Sequence, residues 1–219
     1  MSQNTSQTVK CPKCEAMHPV TVWTTIDATQ DPDLKQDILS RKINIFSCPD
    51  CGQMALMPSP LFYKDDDKKL ILYFSPAMTH QDRQRLFEDL KQKSAKEIKQ
   101  MQGYQLRFIS EYNELLEKIL IFDAGLHDKV VEFLKMMILM QTPDKAENRV
   151  AMFGKLENGY IEFMLHDKKE NQVYTSNIPM STYDMIKEQL AQSGVKYESF
   201  DWEMVDLDYS SKLLTGMNN

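Results

Sequence analysis

The chain has 219 residues, 42% of them hydrophobic and 26% charged, with a net charge of −6. That length can bury a core without disulfides, and the acidic balance argues against a protein whose work is to neutralise phosphate. The polar first ten residues lack the apolar run of a secretion signal, and the most apolar stretch, Val130 to Met140, is broken by Glu132 and Lys135 and is too short to span a bilayer; a cytoplasmic protein is expected.

The only four cysteines fall in two pairs, Cys11-Pro12-Lys13-Cys14 and Cys48-Pro49-Asp50-Cys51-Gly52, separated by 33 residues. Two C-x-x-C knuckles with no spare thiol make a tetrahedral Zn²⁺ site from Cys11, Cys14, Cys48 and Cys51, each knuckle supplying two sulfurs. In a reducing compartment such pairs bind metal or do redox work rather than form structural disulfides. Four protein ligands leave no place for a reacting water, so a structural ion is expected. Iron is a lesser possibility at a four-cysteine site. His18, four residues after Cys14, is an alternate ligand.

Between the knuckles, Val20, Val22, Thr24 and Ile26 alternate with Thr21, Trp23 and Thr25, which predicts a strand over 19–26. Asp31-Pro32 opens a helix ending near Ser40, with Asp31 as cap. Ile43–Phe46 is a strand leading to the second knuckle, where Gly52 supplies a positive φ; Glu15 holds the equivalent place in the first. Met54–Met57, Leu61–Tyr63 and Leu70–Phe74 read as further strands, the last two joined by the polar turn Lys64-Asp65-Asp66-Asp67-Lys68. The three aspartates could take Ca²⁺, but a turn between strands accounts for them.

Thr79, with Asp82 three residues on, starts a helix reaching about Met101 and stopped at Gly103. Leu106–Ile109 is a brief strand. Tyr112, Leu115, Leu116, Ile119 and Leu120 form an amphipathic stripe on a helix that Gly125 ends. The helix 128–141 is apolar on several sides and must be covered by the C-terminal region or a second protomer. Its Met136, Met137 and Met140 read as core, with an adaptable interface as the alternative.

Thr142-Pro143-Asp144 opens a change of texture. Strands follow at 149–156, 160–166 and 172–177, the first two joined by Glu157-Asn158-Gly159, a hairpin signal. Ser181 caps a helix to about Ser193 with Gly194 as its stop, and 197–207 is expected to add a final strand. His127-Asp128 and His166-Asp167 resemble metal-hydrolase dyads but have no further partners at helical spacing. Seven glycines, scattered singly, make no phosphate loop.

With the knuckles and helices in hand, the chain resembles the bacterial CpXC family, named for paired Cys-Pro-x-Cys motifs. The match extends to Asn113-Glu114-Leu115-Leu116-Glu117-Lys118-Ile119, Ile121-Phe122-Asp123 and Gly125-Leu126. Family members tend to be acidic where this chain has His127, a departure that leaves the cysteines untouched. The resemblance covers about residues 10–140 and implies a zinc-binding domain with no established activity.

The expected fold is therefore α+β. An elaborated four-cysteine zinc-ribbon module with a β-hairpin over 10–76 precedes a helical part of the same domain over 77–141 and a C-terminal hairpin-and-helix region over 142–219. The expected function is a non-enzymatic, zinc-stabilised module that binds another protein or itself. Nucleic-acid binding is the runner-up, with Lys10, Lys13, Arg41 and Lys42 as a local basic patch and Trp23 as a stacking surface. Thiol-redox catalysis stands third.

Overall fold

The computed structural model describes residues 1–141 and 148–217. It is an α+β protein with ten strands and six α-helices among the described residues. The chain divides into two compact units, residues 1–116 with 200–202, and residues 117–199 with 203–219.

The first unit is built on a mixed five-stranded sheet. Strand β1 (Gln3–Lys10) pairs antiparallel with β2 (Met17–Asp27), and β2 runs parallel to β5 (Leu61–Asp65). Between them lie helix α1 (Pro32–Leu39) and the small hairpin β3 (Ile45–Ser47)–β4 (Met54–Leu56). β5 turns back into β6 (Leu70–Phe74), which runs parallel to β7 (Gln105–Ile109). That second parallel step is crossed by helix α2 (His80–Ser94) and a 3₁₀ turn (Ile98–Met101), because parallel neighbours need a crossover longer than a hairpin.

β6 reads Leu-Ile-Leu-Tyr-Phe without alternation because both of its faces are covered. Ile71 and Leu106 pack with Trp202 under Phe87 and Leu90 of α2, and the indole Nε1 of Trp202 donates to Ser94 Oγ at 2.8 Å. On the other face Phe74 meets the Tyr112 ring edge-on at 5.8 Å.

The second unit wraps helix α4 (Asp128–Met140). A sheet of β8 (Arg149–Glu157), β9 (Tyr160–Asp167) and β10 (Gln172–Pro179), in the order β10-β9-β8, lays Phe153, Ile161, Phe163 and Leu165 in one core with Val130, Val131 and Leu134. Helix α5 (Met180–Gln192) adds Tyr183, Ile186 and Leu190, and α6 (Leu207–Met217) packs Leu213 and Leu214 on the same core. The C-terminal region thus covers the wide apolar surface of α4: Met136 is buried and Met137 partly buried, while Met140 is exposed.

Helix α3 (Tyr112–Asp123) and α4 also bury a set of charges. Lys118 Nζ lies 3.0 Å from Glu132 and 3.3 Å from Asp128, and donates to the Val205 carbonyl at 2.6 Å. Lys135 bridges Glu132 at 3.0 Å and Glu117 at 2.9 Å, and Glu117 accepts the Phe153 N–H. Burial raises the pKa of Glu117, with Lys135 opposing and Glu132 reinforcing it. Charges that interrupt the apolar pattern of α4 are therefore inside, held by one another.

Several expectations need correction. The polar first ten residues, to which the sequence assigned no element, carry β1, an exposed edge strand. Segment 197–206 is not a strand, and its one ladder residue is Glu203. Trp202 there is buried beside Tyr73 and Ser94, and the Val205 carbonyl goes to a lysine, so side chains use what a neighbouring strand would. Helix α2 ends at Ser94, and a 3₁₀ turn follows. Asp31 sits at the N-cap of α1 but its carboxylate accepts the Ser2 N–H at 3.4 Å instead of a helix N–H. Ser181 lies inside α5, which starts after Pro179. Thr79 does cap α2, accepting from Asp82 N at 3.1 Å. The breaker at Thr142–Asp144 lies outside the described residues.

Candidate metal centre

Both knuckles are six-residue turns of β-hairpins. Residues 11–16 link β1 to β2 where Lys10 pairs with Met17, and residues 48–53 link β3 to β4 where Ser47 pairs with Met54. Their backbones repeat each other. Cys11 N donates to Ala16 O and Cys48 N to Gln53 O, both at 2.8 Å; Glu15 N donates to Cys11 O at 3.0 Å and Gly52 N to Cys48 O at 2.9 Å. The residue after the second cysteine of each knuckle is left-handed, Glu15 at φ 62° and Gly52 at φ 70°. A glutamate there carries steric strain that glycine avoids.

The two turns are held together from below. Val22, Phe46 and Met57 pack with Cys11 and Cys48 in one small core. Asn44, buried at φ 53°, adds a polar clamp: its Oδ1 accepts Trp23 N and its Nδ2 donates to Trp23 O, both at 2.8 Å, while Met57 N donates to the Asn44 carbonyl at 2.8 Å. This side-chain amide substitutes for a strand pairing that β2 and β3 do not make.

As a result all four sulfurs lie within 4.8 Å of one another. Contacts cross between knuckles, Cys11 Sγ to Cys51 Sγ and Cys14 Sγ to Cys48 Sγ, each at 3.6 Å. A tetrahedral ion with sulfur ligands at about 2.3 Å has sulfurs about 3.8 Å apart. The four side chains therefore fit a tetrahedral metal with a closed shell. Cys11 and Cys48 are buried, Cys51 is half-buried and Cys14 is exposed.

The ionisation pattern points to the same need for a cation. Hydrogen bonds from the Cys14 and Lys13 N–H groups help lower the Cys11 thiol to about 6. The Ala16 N–H pulls Cys14 down, but desolvation and the three neighbouring sulfurs leave it raised to about 12. Cys51 is likewise raised, the Gln53 N–H outweighed by desolvation and by Cys11 and Cys48. Four thiolates at this spacing ionise together only when a positive ion replaces their protons.

A family model described as CpXC protein matches residues 9–135, more than half of the chain. The chain belongs to the CpXC family. No curated protein and no solved structure matches it.

Around this CpXC cysteine set, His18 is the second residue of β2, with Nε2 3.7 Å from Cys48 Sγ and 3.2 Å from Asp50 Oδ2. Asp50 and Asn44 are the neighbours that sequence reasoning passed over. A carboxylate inside a knuckle was the available signal for Asp50; nothing local marks Asn44 as a clamp.

The other candidates have structural work. Asp65 is buried at the end of β5, accepting from Lys35 at 3.0 Å, Tyr63 at 3.2 Å and Lys68 N at 3.0 Å. Asp66 is held by Lys64 and by the Tyr104 hydroxyl. His127 caps α4 by accepting from Lys129 N at 3.2 Å, and Asp128 faces Lys118. Asp167 pairs with Arg149 at 3.2 Å and accepts the Lys169 and Glu170 N–H groups. No helix among the described residues is long and apolar enough to cross a membrane.

Proposed function

We propose that this CpXC protein binds Zn²⁺ through Cys11, Cys14, Cys48 and Cys51, and that the ion is structural. The observation that carries this is the closed set of four sulfurs at tetrahedral spacing. Soft thiolate ligands in a tetrahedron select zinc or iron, and zinc is the ordinary occupant of paired C-x-x-C knuckles. Among the described residues, the core beneath them holds five buried side chains, two of them the ligands Cys11 and Cys48. Zinc binding in small domains is worth about 10–16 kcal/mol, enough to decide whether these turns stay docked. On this reading residues 10–76 are a zinc-ribbon-like module working in the reducing cytoplasm.

The module is non-enzymatic and serves to bind protein, another chain or its own copy. Support comes from the outward side of the β3–β4 hairpin, where Met54 is 58% and Leu56 38% exposed. Helix α4 lends no support, since its own unit covers it. Size exclusion with light scattering on zinc-loaded protein, beside affinity capture with wild type and a Met54→Ser/Leu56→Ser variant, tests this. Saved melting temperature with lost association is expected; a monomer that captures nothing, or capture indifferent to the variant, would remove the idea.

Nucleic-acid binding is weakened because two of the four basic residues of that patch, Lys10 and Lys42, face carboxylates. Lys10 pairs with Glu15 and Lys42 with Asp37, each at 3.0 Å, and Arg41 donates to Asn113 at 2.7 Å. Fluorescence anisotropy with DNA and RNA is expected to show no salt-dependent affinity. A redox dithiol would leave a metal-free protein folded with a fast-reacting thiolate pair.

A further inference from the structure

We infer that His18, Cys48 and Asp50 form a second divalent-cation site that shares the Cys48 sulfur with the four-cysteine set. The inference rests on the four-cysteine reading to the extent that Cys48 is a ligand there and a bridge here.

Three observations carry it. First, the spacing, which suits a hydrogen bond and an ion pair, also suits ligands on one ion. A tetrahedral ion with nitrogen and oxygen at about 2.1 Å and sulfur at about 2.3 Å separates N from O by about 3.4 Å and N from S by about 3.6 Å. His18 Nε2 is 3.2 Å from Asp50 Oδ2 and 3.7 Å from Cys48 Sγ, and the three donor atoms all lie within 4.8 Å of one another.

Second, both partners address the same ring nitrogen. A single N–H on Nε2 can aim well at the carboxylate or at the sulfur, not at both. A metal ion on that nitrogen accepts both at once. The ring is already aimed: His18 is 18% exposed and lies against Phe46, centroids 6.2 Å apart. Asp50 is fixed within the turn whose ends Cys48 N and Gly52 N tie down.

Third, the charge calls for it. Four thiolates around one dication carry a net −2, and the Asp50 carboxylate adds to this beside Cys48. A second dication on a bridging thiolate cancels most of that excess. Asp50 is 57% exposed, so an ion can reach this site from solvent. The chemistry is that of a borderline ion with mixed nitrogen, oxygen and sulfur ligands, Zn²⁺ or Co²⁺.

The test is stoichiometry. Reduced metal-free protein is titrated with Co²⁺, following the thiolate charge-transfer and d–d bands. Zn²⁺ content is measured in parallel after gel filtration at fixed free zinc. Two equivalents per chain are expected for wild type. His18→Ala and Asp50→Asn are each expected to bind one, keeping the four-thiolate cobalt spectrum and the zinc-loaded melting temperature. One equivalent in wild type, or two in both variants, overturns the second site and leaves the four-cysteine reading standing. No binding at all overturns both.

Discussion

Lys118→Met tests whether the buried charges of the second unit are held by one another. Lys118 is about 1% exposed in its side chain, faces Glu132 at 3.0 Å and Asp128 at 3.3 Å, and donates to the Val205 carbonyl. Methionine fills similar space but leaves two carboxylates out of water with one ammonium fewer. Removing one partner of a buried ion pair costs about 3–5 kcal/mol. That cost falls on the opening of α4 and should speed its amide hydrogen exchange by roughly 2 to 4 orders of magnitude. Exchange measured by mass spectrometry on peptides covering 128–140 reads this directly. Adding Glu132→Gln removes one stranded charge and is expected to restore part of the protection. A change below tenfold in the single variant, or no recovery in the double, would refute the reasoning.

Three further outcomes follow from particular residues. Burial raises the Glu117 pKa above its unfolded value, so the native state holds a proton that the unfolded chain has released; stability falls as pH rises from about 4.3 through the native pKa. Glu117→Gln should flatten that fall in urea midpoints read by circular dichroism, and an unchanged slope would contradict it. Asn44→Asp loses the donor to Trp23 O and buries a charge, costing about 2–4 kcal/mol; chelator competition should show weaker zinc binding, and unaltered affinity would mean the clamp does not align the knuckles. Gly52→Ala meets nothing within 4 Å but must hold φ 70°, so it should weaken zinc binding by about 1 kcal/mol, whereas Glu15→Gly should strengthen it by up to about that much. Equal affinities across these two would sink the strain argument.

What could be read without coordinates was local. The cysteine spacing marked the four sulfurs that come together, and Gly52 marked a positive φ that Glu15 shares. Asn158-Gly159 marked the hairpin, whose turn residues adopt φ 51° and 78°. Features decided by distant partners were not legible. β1 is polar because it is an exposed edge, so it carries no alternation to detect. The parallel pairings of β2 with β5 and β6 with β7 depend on crossovers that no short pattern encodes. Lys118, Glu132 and Lys135 look like surface charges until α3, α4 and Val205 are seen to enclose them. The approach of His18 to Asp50 joins residues 32 positions apart, and only the docked hairpins create it.

The central claim is a metal held by all four cysteines. Native mass spectrometry with elemental analysis on gently purified, chelator-free protein, combined with alkylation before and after chelation, tests it most directly. Zinc in at least one equivalent per chain is expected, with four thiols that resist alkylation until the metal is stripped. Metal-free protein that is folded, with its thiols modified at once or joined as disulfides, would contradict it.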